Sequence, residues 1–159
     1  MPKPFDVKLR GLEGMKAALE TLRGEAQKRV GRGVELTTGA VFRKARKAMR
    51  GVKTGRLYRI KGRLHRASAE NEAPAIGTRK FYRSIFKRVT GMKGEVGSHE
   101  PEGLWLEFGA MRAGGNLMKR RPWLRPAIRS ERRTWRRRMR RALNGATRAA
   151  RRQAKSRRR

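Results

Sequence analysis

The chain has no cysteine among its 159 residues. Disulfides, thiolate nucleophiles and thiolate metal ligands are therefore excluded, and the redox compartment stays open. Aspartate occurs once, as Asp6, and histidine twice, as His65 and His99. Neither histidine has a ligand-type partner at helical spacing, so no zinc or two-metal site is expected, and no cofactor. No apolar run approaches the roughly 18 residues of a membrane span. The opening MPKPFDVKLRGLEG lacks the continuous hydrophobic segment of a secretory signal. The expectation is a soluble protein made in the cytoplasm, with no membrane contact.

Acids are scarce as well: 12 Asp+Glu stand against 45 Lys+Arg, a formal charge of +33. Two carboxylate pairs, Glu70 with Glu72 and Glu100 with Glu102, fall in loop-like segments, where they balance local positive charge more readily than they serve as acid and base. No P-loop, GxSxG or dinucleotide fingerprint is present, and an enzyme is not expected. A field of this sign repels itself and calls for a polyanion or an acidic neighbour. Nucleic acid is the default partner on charge alone, with an acidic protein lattice or an anionic surface as the other candidates.

Periodicity supplies the architecture. Phe5, Val7 and Leu9 alternate with polar residues, as in a short half-buried strand. From Leu12 to Ala48 apolar or small residues recur at steps of three or four, and ten steps cover 36 positions, the period of an α-helix. Gly31 and Gly33 could divide it into two nearly collinear helices. RLYRI and RLHRA flank Lys61-Gly62 as a hairpin would, and ASAENEAPAIGT has loop composition. FYRSIFKRV reads as a helical turn entering a strand, EVGS as the returning strand, and PEGLWLEFG as a short helix started by Pro101. A second amphipathic helix with a thin apolar face follows from Ile128. Between Lys119 and Arg159 there are 19 basic residues and one acid, Glu131. The expected fold class is α+β: a long N-terminal helix packed on a small antiparallel sheet, closed by a short helix at Leu104–Gly109 and a long basic C-terminal helix. Residues 1–128 would form the domain that holds the core. Residues 129–159 would be an Arg-rich helix and tail, with little apolar surface beyond residue 144.

Against this background the segment from Leu104 to Ile128, LWLEFGAMRAGGNLMKRRPWLRPAI, is unusual, because it holds two of the three tryptophans. Leu104, Trp105 and Phe108 are expected to bury against the long N-terminal helix. Glu107 is either an incidental acid on that helix or the partner of an arginine across a subunit boundary. Pro122 and Pro126 fix the backbone around Trp123-Leu124, presenting Trp123 to a pocket in its own subunit or in the next. Ala113–Asn116 reads as a flexible loop.

Taken in order, these pieces resemble the tail-component proteins of long-tailed bacteriophages, the family found among the head-tail connection genes of lambdoid phages. The resemblance rests on Thr54-Gly55-Arg56-Leu57-Tyr58, then Ala67-Ser68-Ala69 leading to Glu72-Ala73-Pro74-Ala75, then Arg83-Ser84-Ile85. Leu106-Glu107-Phe108-Gly109 and Arg121-Pro122-Trp123-Leu124-Arg125-Pro126-Ala127 complete it. Gly77-Thr78 stands where the family has Thr-Gly, and Trp123 where it has Phe.

The resemblance implies a virion structural protein of the neck or proximal tail: a neck, tail-completion or tail-terminator-like component. Such proteins form homo-oligomeric rings that join the portal-side connector to the tail around the DNA path. Glu107, Phe108, Pro122, Trp123, Leu124 and Pro126 are then the candidate subunit or partner contacts. Arg132, Arg133, Arg136, Arg137, Arg138, Arg140, Arg141, Arg151 and Arg152 are the candidate contacts to packaged DNA or to acidic neighbouring proteins. The Arg-rich stretch beyond Leu143 is heavier than the family requires. The competing class is a sequence-independent nucleic-acid-binding protein of nucleoid or ribosomal type.

Overall fold

The computed structural model describes residues 12–77, 79–111 and 114–156. The strand expected at Phe5–Leu9 lies outside them. The first element is a single helix, α1 (Leu12–Arg50), which runs through Gly31 and Gly33 without a break. Those glycines serve close packing: Gly31 lies against Gly91, and Gly33 against the flexible end of Met139. At 39 residues α1 is about 58 Å long, the longest element in the fold.

The fold is α+β, as expected, and among the described residues its small antiparallel sheet consists of three separate two-stranded ribbons. Strands β1 (Leu57–Ile60) and β2 (Arg63–Arg66) form the anticipated hairpin. Its turn residues Lys61 and Gly62 both take positive φ (47° and 77°), the requirement of the two-residue turn whose twist matches the strands. After the 67–77 loop, a five-residue helix α2 (Lys80–Ser84) leads directly into β3 (Ile85–Thr90), which pairs with β4 (Lys93–Ser98). This second ribbon lies along α1. A side chain at Gly94 would strike Thr38 and Val34, so its glycine permits that approach. Helix α3 (Glu102–Phe108) follows, then a minimal ribbon of β5 (Ala110–Met111) and β6 (Leu117–Met118), which frames the stretch expected to be a loop.

Helix α4 (Arg125–Ser156) closes the fold and lies antiparallel on α1. Lys44 meets Ser130 and Glu131, Thr37 meets Arg138, Arg29 meets Gly145, and Thr21 meets Gln153. Residues 128 and 129 therefore sit inside one continuous helix. The core forms where α1, the β3–β4 ribbon and the start of α4 converge, around Val41, Ala45, Met49, Tyr82, Ile85, Trp123 and Ala127. The tail beyond residue 144 is more than a solvated appendage. Ala142, Ala146 and Ala150, one helical turn apart, are buried in the pairing with α1, where small side chains let the two helices approach closely. The N-terminal half of α1 is less well covered, and Leu12, Met15 and Leu19 of the expected apolar stripe remain exposed.

Candidate docking and nucleic-acid interfaces

Helix α4 begins with a difficulty. Its first amides have no partner within the helix, and the residue just before it, Leu124, has no side-chain oxygen to cap them. Glu107 performs the capping from α3. Its Oε2 accepts the backbone N–H groups of Trp123 at 2.8 Å and Leu124 at 2.9 Å, and its Oε1 accepts that of Arg125 at 2.9 Å. Pro126 has no N–H to satisfy. A carboxylate so placed combines charge-assisted hydrogen bonds with the favourable end of the helix dipole. Glu107 is 6% exposed, so its partners are backbone amides of its own chain. An arginine across a subunit boundary, one of the two roles weighed for this acid, is not needed to account for its burial.

Trp123 is anchored by the same arrangement. It is 4% exposed, its indole N–H donates to the Gly103 carbonyl at 3.0 Å, and its ring meets Phe81 edge-on at a centroid distance of 5.4 Å. The pocket for Trp123 is thus within its own subunit. Pro122 and Leu124 are half-buried beside it, and Pro126 is exposed. Gly109 takes φ 85°, and a Cβ there would lie 2.9 Å from the Met118 carbonyl oxygen. Only glycine fits that position without strain.

This clamp turns α3 so that Gly103, Leu106 and Glu107 face inward. The expected burial of Leu104, Trp105 and Phe108 is overturned: they are 65%, 49% and 57% exposed. Satisfying three amides and the indole N–H fixes the helix's rotation, and its large apolar side chains then point outward. Leu104, Phe108 and Ile128 (50% exposed) form an apolar ridge around a shallow hollow of about 560 Å³, and Trp105 is exposed on the same short helix. The Arg125 guanidinium covers part of the Phe108 ring at 4.6 Å. Glu102, on the same helix, is exposed, and its charge acts on Lys80.

The arginines of α4 divide into two sets. Arg138 is half-buried and bonds Thr37 Oγ1 at 3.0 Å and Glu131 Oε2 at 3.2 Å. It braces α4 against α1, so the expected nucleic-acid role is corrected for this residue. Glu131 is itself buried and receives Lys44 at 2.7 Å. The hydrogen bond from Lys44, reinforced by the Lys44 and Arg138 charges, holds its carboxyl below the ordinary 4.5. Arg133, Arg136, Arg137, Arg140, Arg141, Arg151 and Arg152 are exposed on the opposite side, without acid partners among the described residues. Arg132 is also exposed, beside Trp135 and the β3–β4 ribbon.

A second concentration of positive charge escapes a reading of the sequence. A cleft of about 1230 Å³ opens between the end of α1, the β1–β2 hairpin and α2, and eight of its 16 lining residues are Lys or Arg. They come from three separate segments, none of which is an unbroken basic run.

The motifs behind the resemblance prove to be fold-bracing residues. Thr54 and the Ala69 amide both bond Glu72, and Gly55 admits the Ala67 carbonyl where a Cβ would lie 2.6 Å from it. Ser84 bonds Ser98 at 2.7 Å. Compared with known proteins, the chain matches no family model, no curated protein and no solved structure.

Proposed function

We propose that the chain is a structural component of a long-tailed phage virion, a ring-forming protein of the neck or proximal tail that joins the connector to the tail. The family resemblance supplies the particular setting. The observation that carries the structural role is the exposed ridge of Leu104, Phe108 and Ile128, with Trp105 exposed on the same helix α3, on a folded chain of charge +33. Contiguous apolar surface of this kind marks a contact site, and the occupant proposed for it is a second copy. The outer face of α4, with arginines that have no acid partner among the described residues, gives two copies unlike surfaces to bring together. Contacts between unlike surfaces generate rings when the rotation closes.

The arginine face favours a second reading, a sequence-independent nucleic-acid-binding protein. Like charges three and four residues apart destabilise a helix, and a polyanion along the face removes that penalty. Sedimentation of the purified protein, with and without DNA, separates the two. A discrete closed oligomer without DNA supports the neck component. A monomer that binds duplexes of any sequence supports the alternative.

A further inference from the structure

The cleft beside the β1–β2 hairpin has the chemistry of a binding site distinct from the α4 face. Its lining contains eight cations and, among the described residues, no carboxylate. The volume of about 1230 Å³ exceeds the roughly 300–1,000 Å³ of ordinary small-molecule pockets, which are mostly apolar. Two of the cations are held in place. Buried Tyr82 has the guanidinium of Arg46 at 4.1 Å and that of Arg50 at 5.2 Å from its ring centroid. A guanidinium stacked on a ring keeps its N–H fork available for an anion. The side chains of Lys61, Arg63, Arg79 and Arg83 are exposed and have no hydrogen-bond or ion-pair partner among the described residues. Bringing these charges together costs folding free energy, and among the described residues the Glu72 carboxylate near Lys53 offsets only part of it.

We propose that this cleft binds the phosphate backbone of duplex DNA, with the β1–β2 hairpin as the arm that straddles it. Six of the eight lining cations are arginines, whose planar fork matches phosphate oxygens in pairs. The hairpin favours a duplex over an acidic peptide. Most of its residues are exposed, and both strands and the turn carry cations, at Arg59, Lys61, Arg63 and Arg66. The major groove admits a two-stranded ribbon, whereas a peptide offers no groove to receive one. Contacts of this kind neutralise phosphates without reading bases. The proposal does not rest on the neck assignment, and a ring or a monomer could use the site.

Binding of a random-sequence duplex, followed as a function of salt, tests it with three full-length proteins. The cleft variant carries Lys61→Asn, Arg63→Gln and Arg83→Gln, with Asn chosen because position 61 is left-handed. A charge-matched control carries Lys16→Gln, Arg23→Gln and Lys28→Gln, all exposed on the far half of α1. The cleft variant should lose about tenfold or more in affinity, and its log–log salt slope should flatten by about 2 to 3. The control should keep the parent's slope. Equal losses in both variants would reduce the effect to net charge and overturn the site, as would full binding by the cleft variant. If the cleft variant binds DNA normally but loses affinity for polyglutamate, the occupant is an acidic protein instead. Acetylation of the parent gives an answer that needs no variant to fold: DNA should protect Lys53 and Lys61 but leave Lys16 and Lys28 reactive. The opposite protection pattern contradicts the proposal.

Discussion

Glu107 accepts the backbone N–H of Trp123 at 2.8 Å, across 16 residues of chain. The same carboxylate satisfies Leu124 and Arg125, so one acid on α3 both starts α4 and fixes the turn that seats the tryptophan. Buried amides left without acceptors cost about 1–3 kcal/mol each. Glu107→Ala should therefore destabilise the monomer by at least about 2 kcal/mol, and Glu107→Gln by a smaller but clear amount. Denaturant unfolding of the monomer measures both. A Gln variant with normal unfolding but weakened self-association would return Glu107 to the subunit boundary.

Trp123 should show a graded response. Trp123→Ala removes a buried ring and should cost roughly 3–5 kcal/mol. Trp123→Phe keeps an edge for Phe81 but loses the indole bond to Gly103, a cost of about 1 kcal/mol plus a small cavity term. If Phe and Ala variants unfold at the same denaturant concentration, the ring is not the anchor.

The glycines differ in kind. Gly24 lies in α1 with open space where a Cβ would go, so Gly24→Ala should stabilise by about 1 kcal/mol through helix propensity. Gly109→Ala forces a side chain into positive φ and against the Met118 carbonyl, and should destabilise by more than that. Thermal melting of the two variants should move in opposite directions.

Glu131 predicts an acid limb in stability. Its folded-state pKa lies below the ordinary 4.5, chiefly through the hydrogen bond from Lys44. The stabilisation is present above the unfolded pKa and disappears as pH falls from there through the depressed folded value. Unfolding free energy followed from about pH 6 down to about pH 3 should fall less steeply in Glu131→Gln than in the parent. Parallel curves would mean that Glu131 is not coupled to folding.

Much of this organisation is legible in the sequence, and its failures have physical causes. The 3.6-residue period gives α1 and α4, and the Lys61-Gly62 turn gives the first hairpin, because both signals are local. The rotation of α3 is not local. Apolar spacing selects Leu104, Trp105 and Phe108 for burial, but the unsatisfied amides of a helix that begins at Arg125 select Glu107 instead. Nothing in the seven residues of α3 announces that demand. The basic cleft is invisible for a similar reason, since tertiary contacts assemble it from scattered cations. Arg138 looks like its arginine neighbours until its position against Thr37 and Glu131 is known. The docking of the Arg-rich tail depends on alanines, whose small size weakens the apolar pattern while making the close helix pairing possible.

The central claim is assembly through the α3 ridge, and one sedimentation comparison tests it. Leu104→Ser, Trp105→Ser and Phe108→Ser together remove the exposed apolar groups and leave Gly103, Leu106 and Glu107 in place. The parent should sediment as a closed oligomer, and the triple variant as a folded monomer with an unchanged melting temperature. A parent that is monomeric under the same conditions, or a triple variant that still forms the closed oligomer, contradicts the account.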